Sequence, residues 1–98
     1  MASRTVTVGS TSGLHARPAA LFVAAAAAQP VAVTIRTGDK KPVPARSMLS
    51  VLALGAKCGT EVTLEADGEG ADAVLAQLAD LLARNLDEDP QAVDGAGV

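Results

Sequence analysis

His15 is the single histidine of a 98-residue chain, and it lies in the string Gly13-Leu14-His15-Ala16-Arg17-Pro18. A neutral imidazole is a competent nucleophile near pH 7, because its ordinary pKa is close to that value. Arg17, two residues on, adds a permanent cation suited to phosphate. The same residues read as the mouth of a helix, with His15 at the N-cap and the N–H groups of Ala16 and Arg17 beside its ring. Pro18 is tolerated because it falls in the first turn. A helix N-terminus carries unsatisfied N–H groups and a partial positive charge, and a phosphate needs both. That end disfavours imidazolium before phosphorylation. Together with Arg17 it favours the negative charge afterwards. No second histidine and no acid near His15 is present to activate water, which suits holding a phosphoryl group and not hydrolysing it. Taken alone, these residues leave two readings open: a phosphoryl-carrying imidazole, or a surface histidine that merely caps a helix.

The elements that must hold this site follow from periodicity. Arg4 to Val8 alternates polar and apolar, as a half-buried strand does. Gly9 to Gly13 is a loop. The helix beginning near Ala16 is sustained by Ala24 to Ala28 and followed by Pro30. Ala19, Phe22, Val23 and Ala26 share its core face, while Ala16, Ala20, Ala24 and Ala27 form a smooth neighbouring face. Val31, Val33 and Ile35 alternate as a second strand, and Thr37 to Lys40 is a turn. Lys41 to Pro44 is a short third strand, which its two prolines confine to an edge. Ser47 is a good N-cap for a short helix through Ala53, with Gly55 near its end. Val62, Leu64 and Ala66 point inward from a fourth strand. Ala71, Val74, Leu75, Leu78, Leu81 and Leu82 mark a last amphipathic helix. The order βαββαβα implies an α+β fold, a four-stranded antiparallel sheet with three helices on one face. Residues 1–88 form the expected domain, and 89–98 read as a disordered tail.

Composition narrows the function classes. One Phe and no Trp or Tyr leave a core of Val, Leu, Ile and Ala. The net charge of -3 is unsuited to binding nucleic acid non-specifically. It hides an asymmetry: residues 1–60 hold seven basic residues against Asp39, and 61–98 hold Arg84 against ten acids, giving +6 and -9. A basic face on the half with His15 would attract an acidic partner or a phosphorylated group. Cys58 stands alone, so no intrachain disulfide and no cysteine-based metal site is expected, and a reducing cytoplasm fits. Pro18 to Ala28 is apolar but too short to span a bilayer, and no signal peptide is read at the start.

The hexapeptide 13–18 resembles the phosphohistidine signature of the HPr phosphocarrier family of the bacterial sugar phosphotransferase system. Ser47-Met48-Leu49-Ser50-Val51-Leu52-Ala53-Leu54-Gly55 resembles the family's second motif, and Gly59 to Leu64 its following strand, so the likeness covers about residues 4–86. It implies an open-faced β-sandwich. It also implies that His15 accepts a phosphoryl group on Nδ1 from phosphorylated Enzyme I and passes it to a histidine of a sugar-specific IIA component. Arg17 matches the phosphate-side cation. The chain would then be a substrate of phosphotransferases and not an enzyme. It would need no cofactor or metal and would act as a monomer.

Ser47 corresponds to a regulatory serine that an ATP-dependent kinase modifies in some relatives, although its residue type is equally that of a plain N-cap. The docking surface is expected to combine the alanine face with Leu14, Ala20, Met48, Leu49 and Leu52, at least one of the last two being core and Met48 being the better surface candidate. Cys58 reads as a small packing residue. Two other classes compete with the carrier. An acylphosphatase-like enzyme would need an arginine in the 9–13 loop, which has none, and an asparagine to position water, where only Asn85 occurs. A metal-binding module would have to ligate with His15 and Cys58, far apart in sequence.

Overall fold

The computed structural model describes residues 2–11, 13, 14, 16–38 and 40–84. Seven elements succeed one another: β1 (Ala2–Thr7), α1 (Ala16–Ala27), β2 (Val33–Thr37), β3 (Val43–Pro44), α2 (Met48–Ala53), β4 (Glu61–Ala66) and α3 (Ala71–Ala83). This is the expected βαββαβα order. The strands form one antiparallel sheet in the order β1-β4-β2-β3. The last strand in sequence therefore lies inside the sheet, between the first and second. The proline-bearing β3 takes an edge, where its missing N–H costs no ladder bond.

Register and burial agree on which face is covered. Val6 lies opposite Val62, and Ile35 opposite Leu64. Val62, Leu64, Ile35 and Val33 are buried, while Glu61 and Thr5 are exposed. A period of two thus sends one set under the helices and the other to the open face. On that open face the Thr5 and Thr63 hydroxyls meet at 3.3 Å and Arg36 pairs with Glu65 at 3.8 Å.

The helices close the covered side. α1 buries Ala19, Phe22 and Ala26 completely, while Val23 is half-buried and packs on the core. α3 lies on β1 and β4 through Val74, Leu75, Leu78 and Leu82, and it also buries Ala79. α1 packs against both other helices. Ser47 caps α2 as its type predicts, accepting the Ser50 N–H at 3.3 Å. Residues 85–98, including the expected tail, lie outside the described residues.

Candidate functional site

The loop between β1 and α1 is tied down at both ends. The Val8 N–H donates to the Thr60 carbonyl and the Gly59 N–H to the Val8 carbonyl, each at 2.9 Å, so the ladder runs on just past β1. The Gly9 N–H then donates to the Leu82 carbonyl at 2.9 Å. Ser10 is 1% exposed, and its Oγ donates to the Arg84 carbonyl at 3.3 Å. Two orphan carbonyls at the C-terminal end of α3 are thereby satisfied by the loop. A Cβ at residue 9 would collide with the Ala83 carbonyl, which is why a glycine stands there.

The far end of the loop leans on the segment after α2. The Gly13 N–H donates to the Ser10 carbonyl at 2.8 Å, and the Leu14 N–H to the Ala56 carbonyl at 2.8 Å. Gly13 has φ of 71°, and a Cβ there would strike the Ala56 carbonyl and the Lys57 backbone. Only glycine meets both demands.

α1 starts at Ala16. Its first turn contributes the Ala16 and Arg17 N–H groups and the positive end of the helix dipole. Arg17 is exposed, while Pro18 and Ala19 behind it are buried and anchor the turn. His15 lies outside the described residues. Its chain neighbours Leu14 and Ala16 are held by the bond to Ala56 and by α1.

Of the expected docking residues, the structure corrects Leu14. It is 2% exposed and belongs to the core, because the loop turns its side chain inward while its backbone bonds to Ala56. Ala20 is exposed on α1, as are Ala24 and Ala27. Leu49 is 81% exposed, whereas Met48 and Leu52 are half-buried and pack on the core, and Val51 fills the interior. Ser47, beside them, is half-buried. The Arg46 guanidinium donates to the Gln29 carbonyl at 3.0 Å, past the C-terminal end of α1. Cys58 is exposed and not the packing residue expected of it, since it sits in the turn between Lys57 and Gly59 that leads into β4.

Sequence reasoning missed Ser10 and the closure of the loop onto α3. The glycines at positions 9 and 13 were the available signal, since each marks a close backbone approach. Among the described residues no cluster of three or more His, Cys, Asp or Glu could hold a metal ion. No helix there is long and apolar enough to cross a membrane.

Residues 2–84 match the family model described as the PTS HPr component phosphorylation site. The chain is 55% identical over 93 residues to the phosphocarrier protein HPr of Streptomyces coelicolor, covering 95% of this chain and all of that one. It is 45% identical over 80 residues to the HPr of Haloferax volcanii, covering 81% and 90% of the two. Among solved structures, it superposes on an HPr from Thermoanaerobacter tengcongensis with a TM-score of 0.82 and 34% identity, over 91% of this chain and 99% of that one. The HPr of Bacillus anthracis matches with a TM-score of 0.78 and 33% identity, over 83% and 95%.

Proposed function

The chain belongs to the HPr family of phosphocarriers of the phosphotransferase system, and on that premise we propose that His15 is its phosphoryl-carrying residue. Members of this family carry phosphate and do not catalyse a reaction of their own. Phosphorylated Enzyme I is the donor, and a sugar-specific IIA component the acceptor. In the first step the imidazole lone pair attacks phosphorus, a P–N bond forms on Nδ1, and the bond to the donor breaks. In the second step the P–N bond breaks as the acceptor's histidine takes the phosphoryl group.

The observation that carries this reading is the start of α1 at Ala16, directly after His15, with Leu14 immobilised just before it. A phosphoryl group on His15 would meet the Ala16 and Arg17 N–H groups, the helix dipole and the Arg17 guanidinium. These favour the charged product without activating water. Such a bond stays labile but is not spent.

The partners dock on the face formed by Ala20, Leu49 and the half-buried Met48 and Leu52, beside the site. Ser47 is the position where a kinase would regulate that docking. A phosphate there would add negative charge at the head of α2, beside Met48 and Leu49.

Incubation with Enzyme I and phosphoenolpyruvate tests the central step. The expected product is an acid-labile, base-stable adduct that is absent from His15→Ala. An adduct that persists in His15→Ala, or none at all with the unaltered chain, overturns the proposal.

A further inference from the structure

The sheet order leaves β1 and β3 at its margins. A margin is a row of unpaired N–H and C=O groups on which another chain can add a strand. β3 is blunted, being only Val43–Pro44 with Pro42 just before it. β1 has neither safeguard. It runs from Ala2 to Thr7 without proline, and Thr5, Val6 and Thr7 favour extended chain.

The ladder fixes which groups β1 leaves free. Val6 lies opposite Val62, and just past the strand the Val8 N–H donates to the Thr60 carbonyl at 2.9 Å. In an antiparallel ladder alternate residues turn their N–H and C=O the same way. The even-numbered residues of β1 therefore bond to β4. Ser3, Thr5 and Thr7 present theirs to the outer side, where no strand pairs among the described residues. The even-numbered side chains belong to the covered face: Val8 is buried, and Ala2 and Val6 pack on the core. Arg4 breaks that pattern. It lies opposite buried Leu64, which in turn faces buried Ile35, yet it is exposed, and it is the one charge in the strand.

We infer that the free edge of β1 is a docking edge for β1 of a second copy of this chain, and that Arg4 holds it unoccupied. Two antiparallel β1 strands must set outward-turned residues against each other, so only some registers are open. One centres on Arg4, overlaps residues 2–6 and sets that residue directly opposite itself in the second copy. The other centres on Thr5, overlaps residues 3–7 and sets the two arginines on a diagonal, within reach of long side chains. Further shifts shorten the overlap. Both useful registers thus bring like charges together, which destabilises the pair. A charge on the core-facing side of a marginal strand is one of the ways folded proteins keep such an edge single. The inference does not rest on the reading of His15.

Sedimentation at about 0.5 mM protein tests it, where even a weak dimer is populated. Arg4→Val replaces the charge by a side chain that favours strand pairing. It is expected to raise the dimer association constant about tenfold or more over the unaltered chain, which stays monomeric, as does Arg4→Lys. Arg4→Thr should shift the equilibrium in the same direction as Arg4→Val. In the dimer the amides of Ser3, Thr5 and Thr7 gain protection from hydrogen exchange. Adding Thr5→Pro removes an outward N–H from the middle of the edge and leaves the bonds to β4 in place, so Arg4→Val with Thr5→Pro should return to the monomer. Arg4→Val and Arg4→Thr as monomeric as the unaltered chain would overturn the inference. So would Arg4→Lys associating like Arg4→Val, a dimer that survives Thr5→Pro, or an unaltered chain that already pairs through β1.

Discussion

Leu14 is joined to Ala56 by its N–H at 2.8 Å, and its side chain is at the same time 2% exposed. Backbone and side chain of the residue just before His15 are therefore fixed by different parts of the protein, one by the segment after α2 and the other by the hydrophobic core. This double anchoring fixes the residue that immediately precedes the proposed nucleophile.

Leu14→Ala and Leu49→Ala should separate structural from docking roles. The first removes a buried side chain and is expected to cost about 3 kcal/mol in denaturant unfolding. The second alters a side chain that is 81% exposed and should change stability by less than about 0.5 kcal/mol. If Leu49 contacts partners, kcat/KM for phosphorylation by Enzyme I falls about tenfold in Leu49→Ala. Unchanged kinetics would remove Leu49 from the docking face.

Glycine substitutions read the loop geometry. Gly13 and Gly38 both have positive φ, at 71° and 51°, but only at residue 13 would a Cβ meet backbone, there being nothing within 4 Å at residue 38. Gly38→Ala should cost about 1 kcal/mol, the penalty of a left-handed conformation alone. Gly13→Ala should cost about 2 kcal/mol or more and slow phosphoryl acceptance as well, because the loop must move away from Ala56 and Lys57. Equal costs at the two sites would show that the loop has room to yield.

Phe22 is the chain's one Phe, with no Tyr or Trp, and is fully buried on the inner face of α1. With the remaining core built of aliphatic side chains and alanine, small neighbours cannot swing in to fill its space. Phe22→Ala is expected to cost about 4 kcal/mol, measured as a lower urea midpoint with unchanged slope. Phe22→Leu should recover more than half of that loss.

Much of this was legible along the chain, and the reasons are local. Val62, Leu64 and Ala66 declared a covered face by alternation, Pro42 and Pro44, just before and within β3, pointed to its edge position, and Ser47 announced the start of α2. The hexapeptide around His15 carried the site. Leu14 did not declare its burial, because it sits in a loop between periodic segments, where neither a period of two nor of 3.6 assigns it a side. Ser10 was also beyond reach, since its partner at Arg84 is 74 positions away and only the folded sheet brings the two together. Leu49 and Leu52 lie three apart on a helix of six residues, too short for periodicity to tell which one faces solvent.

Ser47 offers a test in which stability and docking move apart. Its Oγ accepts the Ser50 N–H at 3.3 Å, so Ser47→Ala should lose about 1 kcal/mol of stability through the cap. Ser47→Asp keeps an acceptor at the same place and should stay within about 0.5 kcal/mol of the unaltered protein. The aspartate nevertheless sets a negative charge at the head of α2, next to Met48 and the exposed Leu49. If partners dock there, Ser47→Asp raises KM for phosphorylation by Enzyme I while leaving kcat nearly as it was, and Ser47→Ala changes neither. Such a split assigns Ser47 to the edge of the docking face. An aspartate variant with ordinary KM would leave it as a helix cap and nothing more.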